Sequence, residues 1–187
     1  MEKKDMGTRK IYIVASQTGS VLARAIKVIS SKEYSHSSIA TEADLSDLCS
    51  FGRRHAYNPF FGGFVTESVY YGTFKRFKNT SSLIIEVEVD EDNYQAIEER
   101  LEYLREYKEK YDYDILGLFL AAFHIYYTRQ YHYYCSQFVR DTLIRSHVKG
   151  STDLSRICHP MDFLQLPNAR VIYAGKLRNY PYMYQEA

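Results

Sequence analysis

HYYCSQFV, residues 132–139, is the stretch whose reading decides the fold. A run of tyrosines ends at Cys135, and from there the pattern CSQFVRDTLIRSHV turns helical, with Phe138, Leu143 and Ile144 expected to face inward. Cys135 therefore falls in the first turn of a helix, where the helix dipole favours an anion and backbone N–H groups lack intrahelical partners. A thiol attacks as its thiolate, so this placement makes Cys135 a candidate nucleophile, with nearby amides as candidate oxyanion donors.

Such a thiolate also calls for an imidazole. Six histidines are available, at positions 36, 55, 124, 132, 147 and 159. His36 is the best placed, because it opens the small, hydroxyl-rich strand SHSSIAT, whose side chains leave room around the ring. His124 falls in an apolar helix, His147 towards a helix end, and His55 and His159 in turns.

Around this pair the chain reads as a single domain. Its 187 residues are enough to bury a core without cross-links, and no linker or repeat divides them. KIYIVAS (10–16) is a strand, followed by a helical pattern over 20–30. SHSSIAT (35–41), LCSFGRR (48–54), GGFVTESV (62–69) and SSLIIEVEV (81–89) read as four more strands, three of them antiparallel, and ARVIYAGKL (169–177) as a last one. The stretch 90–111 is an exposed amphipathic helix with Ile97, Leu101 and Leu104 inward. DILGLFLAAFHIYY (114–127) is apolar all round and so is expected to be a buried helix. Strands leading into a helical half make the class α+β.

Twenty-four Lys and Arg against 23 Asp and Glu give a net charge of +1, too little to draw the protein to nucleic acid. The three cysteines form no secreted disulfide framework, and ILGLFLAAF is far short of a membrane span. With no signal-like apolar run at the start, a cytoplasmic protein without an integral membrane segment is expected.

A small histidine strand followed much later by a helix opening with YYCSQFV resembles the circularly permuted papain-like families of the NlpC-type superfamily, which include the YiiX-like proteins and relatives of lecithin retinol acyltransferase. The similarity runs from about Ile11 to about Val148. It implies a permuted papain-like α+β domain, with a central antiparallel sheet packed against a helical half and Cys135 facing His36. Such families cleave or transfer acyl groups through an acyl-enzyme, so the implied substrate is an amide or ester in a peptide, a peptidoglycan fragment or a lipid. No cofactor or metal is expected.

The resemblance also implies a third polar residue on the strand after His36, which orients the imidazole. Ser50 is the match by position, although serine is a poor substitute for the carboxylate, amide or imidazole usual there. Glu67, one strand further on, is the alternative if it reaches His36. Arg53 or Arg54, Tyr57, Phe60 and Phe61 in the loop between glycines are candidate substrate contacts. Gln17 and Thr18 are candidates for the cleft rim, and Tyr134 for the wall beside the nucleophile. Two rival readings stand beside this one: a papain-like binding module without turnover, and a zinc site built from His132, Cys135, Cys158 and His159, whose spacing fits no finger.

Overall fold

The computed structural model describes residues 7–19, 33–55 and 58–183, with the side chains of 55 and 58–61 left out of the description. The helix expected over 20–30 and the candidate Tyr57 lie outside the described residues. The frame is an eight-stranded sheet: β1 (Thr8–Gln17), β2 (His36–Ala40), β3 (Cys49–His55), β4 (Asn58–Thr66), β5 (Ser81–Asp90), β6 (Asp112–Tyr113), β7 (His132–Tyr133) and β8 (Ala169–Lys176). Their spatial order is β7-β6-β4-β3-β2-β1-β5-β8. All neighbours pair antiparallel except β6 and β7, which run parallel. Strands alternate with helices only loosely, and the architecture is mixed α+β.

Among the described residues four α-helices accompany the sheet: α1 (Gly72–Arg76), α2 (Glu91–Glu106), α3 (Ile115–Ala122) and α4 (Cys135–Arg145). β1 explains why both faces are covered. Ile11 to Ser16 are buried without a break, the signature of a strand enclosed on both sides. Ile11, Ile13 and Ala15 join one core with Ile97, Leu101 and Leu104 of α2 and Phe138, Val139 and Leu143 of α4. Tyr12 and Val14 face the other, with Leu48, Val69, Phe74 of α1, Leu177 and Tyr180.

Helix α4 is seated on the sheet through Phe138, whose ring lies 5.2 Å from Phe51 of β3 and 5.8 Å from Phe64 of β4. Ile144, expected to point inward, is half-buried, and Thr142 takes an inner position instead. The reason is angular: on a helix that buries 135, 138, 139 and 142, position 144 lies on the outer side.

The largest departure concerns α3. Its apolar sequence suggested burial, yet only Gly117 and Ala121 are buried, while Leu116 is 47% exposed, Phe119 54% and Phe123 55%. Composition reports how apolar a helix is, not how many layers cover it, and α3 touches the body along one narrow stripe. The helix also stops early: the chain turns off at His124, with φ of 60°.

The anticipated loop 53–61 is the end of a β3–β4 hairpin, with the register shifting between Arg53 and His55. Gly62 of β4 sits under Tyr113 of β6. A Cβ there would lie 2.7 Å from Tyr113 Cβ and 2.7 Å from the Gly52 carbonyl oxygen. Neither obstacle is a flexible side-chain end, so Gly62→Ala is expected to destabilise the fold by about 1–3 kcal/mol, read as a lowered denaturation midpoint at unchanged m.

Candidate active site

Cys135 is the first residue of α4, and Tyr134 before it is an extended N-cap. The tyrosine side chain makes no cap bond. Instead Gln137 reaches back, its Oε1 accepting the Tyr134 N–H at 3.3 Å. Ser136 is turned away from the thiol and donates to the Cys158 carbonyl at 2.6 Å, which ties the helix start to the segment after α4. The Cys135 thiol points to the beginning of β2, where the Ser35 carbonyl lies 3.9 Å from Sγ.

His36 is the first residue of β2, so its backbone is fixed by the pairing of Ser16 with His36 across β1. Its Nε2 is 2.9 Å from Glu67 Oε1. The second oxygen of Glu67 accepts from the hydroxyl of Ser38, two residues along the same strand. The ring also meets Phe74 of α1 edge-on, 6.4 Å between centroids, so the surroundings are more crowded than the small residues of β2 suggested.

Glu67 follows β4, and β3 lies between β4 and β2, so its carboxylate must pass over a strand to reach His36. Gly52 lies beneath this passage. Continuing the antiparallel register from Ile39 and Cys49 sets Gly52 opposite His36, and a Cβ there would be 3.6 Å from His36 Cε1 and 3.8 Å from Glu67 Oε1. A larger side chain would occupy the space the carboxylate uses. Ser50 is not brought to the imidazole. It is fully buried and its hydroxyl donates to the Ser37 carbonyl at 2.8 Å, so the position matched to the orienter by sequence order is displaced by two residues along β3.

The electrostatics run in opposite directions at Cys135 and His36. Burial by itself would push the His36 imidazole down. The Glu67 carboxylate, and then the hydrogen bond and charge of Cys135, more than offset this and hold it well above its ordinary value. Burial would push the Cys135 thiol up, but the hydrogen bond and charge of His36, with the Ser37 and Ser136 amides, bring it below its ordinary value. Both shifts favour a thiolate–imidazolium pair. At the other two cysteines burial prevails: it lifts Cys49 to about 11 despite the Arg105 guanidinium 3.5 Å from its sulfur, and drives Cys158 higher still.

Tyr113 was not foreseen from the sequence. Burial, followed by the negative charge at Cys135, keeps its phenol well above the ordinary value, so it remains a neutral donor near the thiolate. Arg53 pulls the other way on the same phenol, which locates Arg53 on this side of the sheet. The usable signal was the Gly62-Gly63 pair, which lets β6 lie close over β4. Arg54 is committed elsewhere, to the Lys108 and Tyr111 carbonyls at 2.7 and 3.1 Å and to Glu109 at 3.0 Å.

Gln17 closes β1, and its Oε1 accepts from Ser35 Oγ at 2.5 Å, which ties it to the residue whose carbonyl lies beside Cys135. Tyr134 is buried and, with Leu118, Ala121 and Cys158, lines a narrow cavity of about 30 Å³ that touches Cys135. Of the four zinc candidates, His132 directs Nδ1 at the Gln130 carbonyl, 2.7 Å away, and Cys158 its thiol at the His159 carbonyl. Among the described residues no three His, Cys, Asp or Glu side chains gather in a metal-holding group. No helix among them is long and apolar enough to cross a membrane. Comparison with protein-family models, curated proteins and solved structures finds no match to the chain.

Proposed function

We propose that this protein is a cysteine-dependent acyl hydrolase or acyltransferase of the permuted papain-like kind, acting on an amide or ester carbonyl. The observation that carries the proposal is the line Cys135, His36, Glu67, in which the thiol is lowered, the imidazole raised and the carboxylate seated 2.9 Å from the imidazole Nε2.

The Cys135 thiolate attacks the carbonyl carbon, and the carbonyl oxygen takes up the electron pair. We assign the first-turn N–H groups of α4, which lack intrahelical acceptors, and the neutral Tyr113 phenol as the donors to that oxyanion. The His36 imidazolium then gives its proton to the departing amine or alkoxide as the C–N or C–O bond breaks, leaving a thioester. Water or an amine, deprotonated by the now neutral imidazole, releases the acyl group and restores the ion pair. Glu67 keeps the ring turned towards the thiol and supports its positive charge, a positioning role that Ser38 reinforces through the second carboxylate oxygen.

An activated ester tests the first half of this sequence without knowledge of the natural substrate. Brief exposure to p-nitrophenyl acetate should leave one acetyl group on the Cys135 peptide, removable by hydroxylamine, and none in Cys135→Ala. No adduct, or acetylation spread over lysines and the other cysteines, would overturn the proposal.

A further inference from the structure

A second cavity, of about 500 Å³, opens on the outer side of α4, away from Cys135. Five arginines line it, Arg100, Arg129, Arg140, Arg145 and Arg156, against a single lining carboxylate, Asp141. That imbalance is local, because the whole chain carries only +1. Arg100 and Arg145 converge on the same oxygen, Asp141 Oδ2, at 3.3 and 2.7 Å, and the Tyr133 hydroxyl donates to it as well. One carboxylate oxygen thus serves two guanidiniums, and the buried Nε of Arg100 has no acceptor among the described residues.

The remaining arginines add charge without cancelling it. Arg140 uses Nε and Nη2 on the neutral Leu154 carbonyl, both at 3.2 Å, and Arg156 stands 5.5 Å over the Tyr126 ring. Arg129 alone has its own acid, Asp114 at 2.9 Å. Guanidiniums present forked N–H donors that match phosphoryl oxygens, and holding several together without a counterion is costly. Tyr103, Tyr126 and Tyr131 supply aromatic walls on which a planar ring can stack.

We infer that this cavity binds a phosphorylated small molecule, its phosphoryl groups held by the arginines of α2, α4 and the segment after α4, and that a nucleoside polyphosphate fits its walls best. The site is separate from the thiol centre but not remote from it. Gln137, whose side chain holds the Tyr134 N–H in front of the nucleophile, lines the same cavity.

The test is isothermal titration of the full chain carrying Cys135→Ala, in a buffer free of phosphate and sulfate, with ATP and with inorganic tripolyphosphate. Because this variant lacks the nucleophile, the result is independent of the catalytic proposal. Saturable one-to-one binding that weakens as salt is raised supports the inference. ATP binding more tightly than tripolyphosphate shows that the tyrosines hold the base, and equal affinity shows that the phosphoryl groups suffice. Arg145→Glu and Arg156→Glu, both at exposed positions, should together reduce affinity at least tenfold with the denaturation midpoint retained. Lys176→Glu, on the far edge of the sheet, should leave affinity unchanged. No binding of either probe, or binding that follows net charge equally in all three variants, overturns it.

Discussion

Iodoacetamide at pH 6.5 should modify Cys135 at least about 100-fold faster than Cys158, and His36→Ala should erase most of the difference. An ordinary cysteine, titrating near 8.5, is only about 1% thiolate at that pH, so a thiol that is already an anion gains about this factor. Cys158 is the useful internal control because it is buried to the same degree and lines the same narrow cavity. What separates them is charge: burial holds the Cys158 thiol up, while His36 brings Cys135 down.

The sign in the variant follows from the same list of influences. Burial is the largest effect on Cys135 and it raises the thiol, so without the imidazole the two amide donors are left to oppose it alone. The profile of rate against pH should therefore move from below the ordinary cysteine range to its upper side. Peptide mapping after timed alkylation, repeated from pH 5 to pH 10, reads both the rate and the midpoint. Equal rates at Cys135 and Cys158 in the wild type would remove the basis for an activated nucleophile.

Glu67→Gln is the second large effect. Burial alone depresses the His36 imidazole, and the Glu67 carboxylate is the first influence opposing it. A neutral amide keeps the shape and one hydrogen bond but removes the charge, so the imidazole should lose its proton at lower pH and the ion pair should hold over a narrower range from its alkaline side. Acetyl transfer to Cys135 is expected to fall about 10- to 100-fold near neutral pH, with the alkaline limb of its pH profile displaced to lower pH. Ser50→Ala should leave rate and profile alike unchanged, because its hydroxyl serves the Ser37 carbonyl. A purely structural role for Glu67 would lower stability without moving the limb.

The strands and the helix at Cys135 were legible because their signals are local. The unbroken apolar run of β1, the alternation in β5 and the onset of the pattern at Cys135 each lie within a dozen residues. What stayed hidden depended on register and layering. No local pattern says that Gly52, rather than Ser50, faces His36, nor that the empty position is what admits Glu67 from two strands away. Tyr113 was hidden for a similar reason, since β6 is only two residues long and is held by pairing with Gly63. The helix α3 shows the converse: a strong local signal, apolar throughout, whose burial the tertiary arrangement does not supply.

Ser35 and Cys135, whose carbonyl and thiol meet, are 100 residues apart in the chain, and His36 leaves the ribosome long before Cys135. Between them lie six of the eight strands, β2 to β7, and with them much of the surface on which α4 rests. A nascent or partly unfolded chain therefore carries an ordinary cysteine at 135, one that peroxide oxidises slowly, since susceptibility follows thiolate character. Chemical vulnerability and readiness to react arrive together, and only in chains that have finished folding.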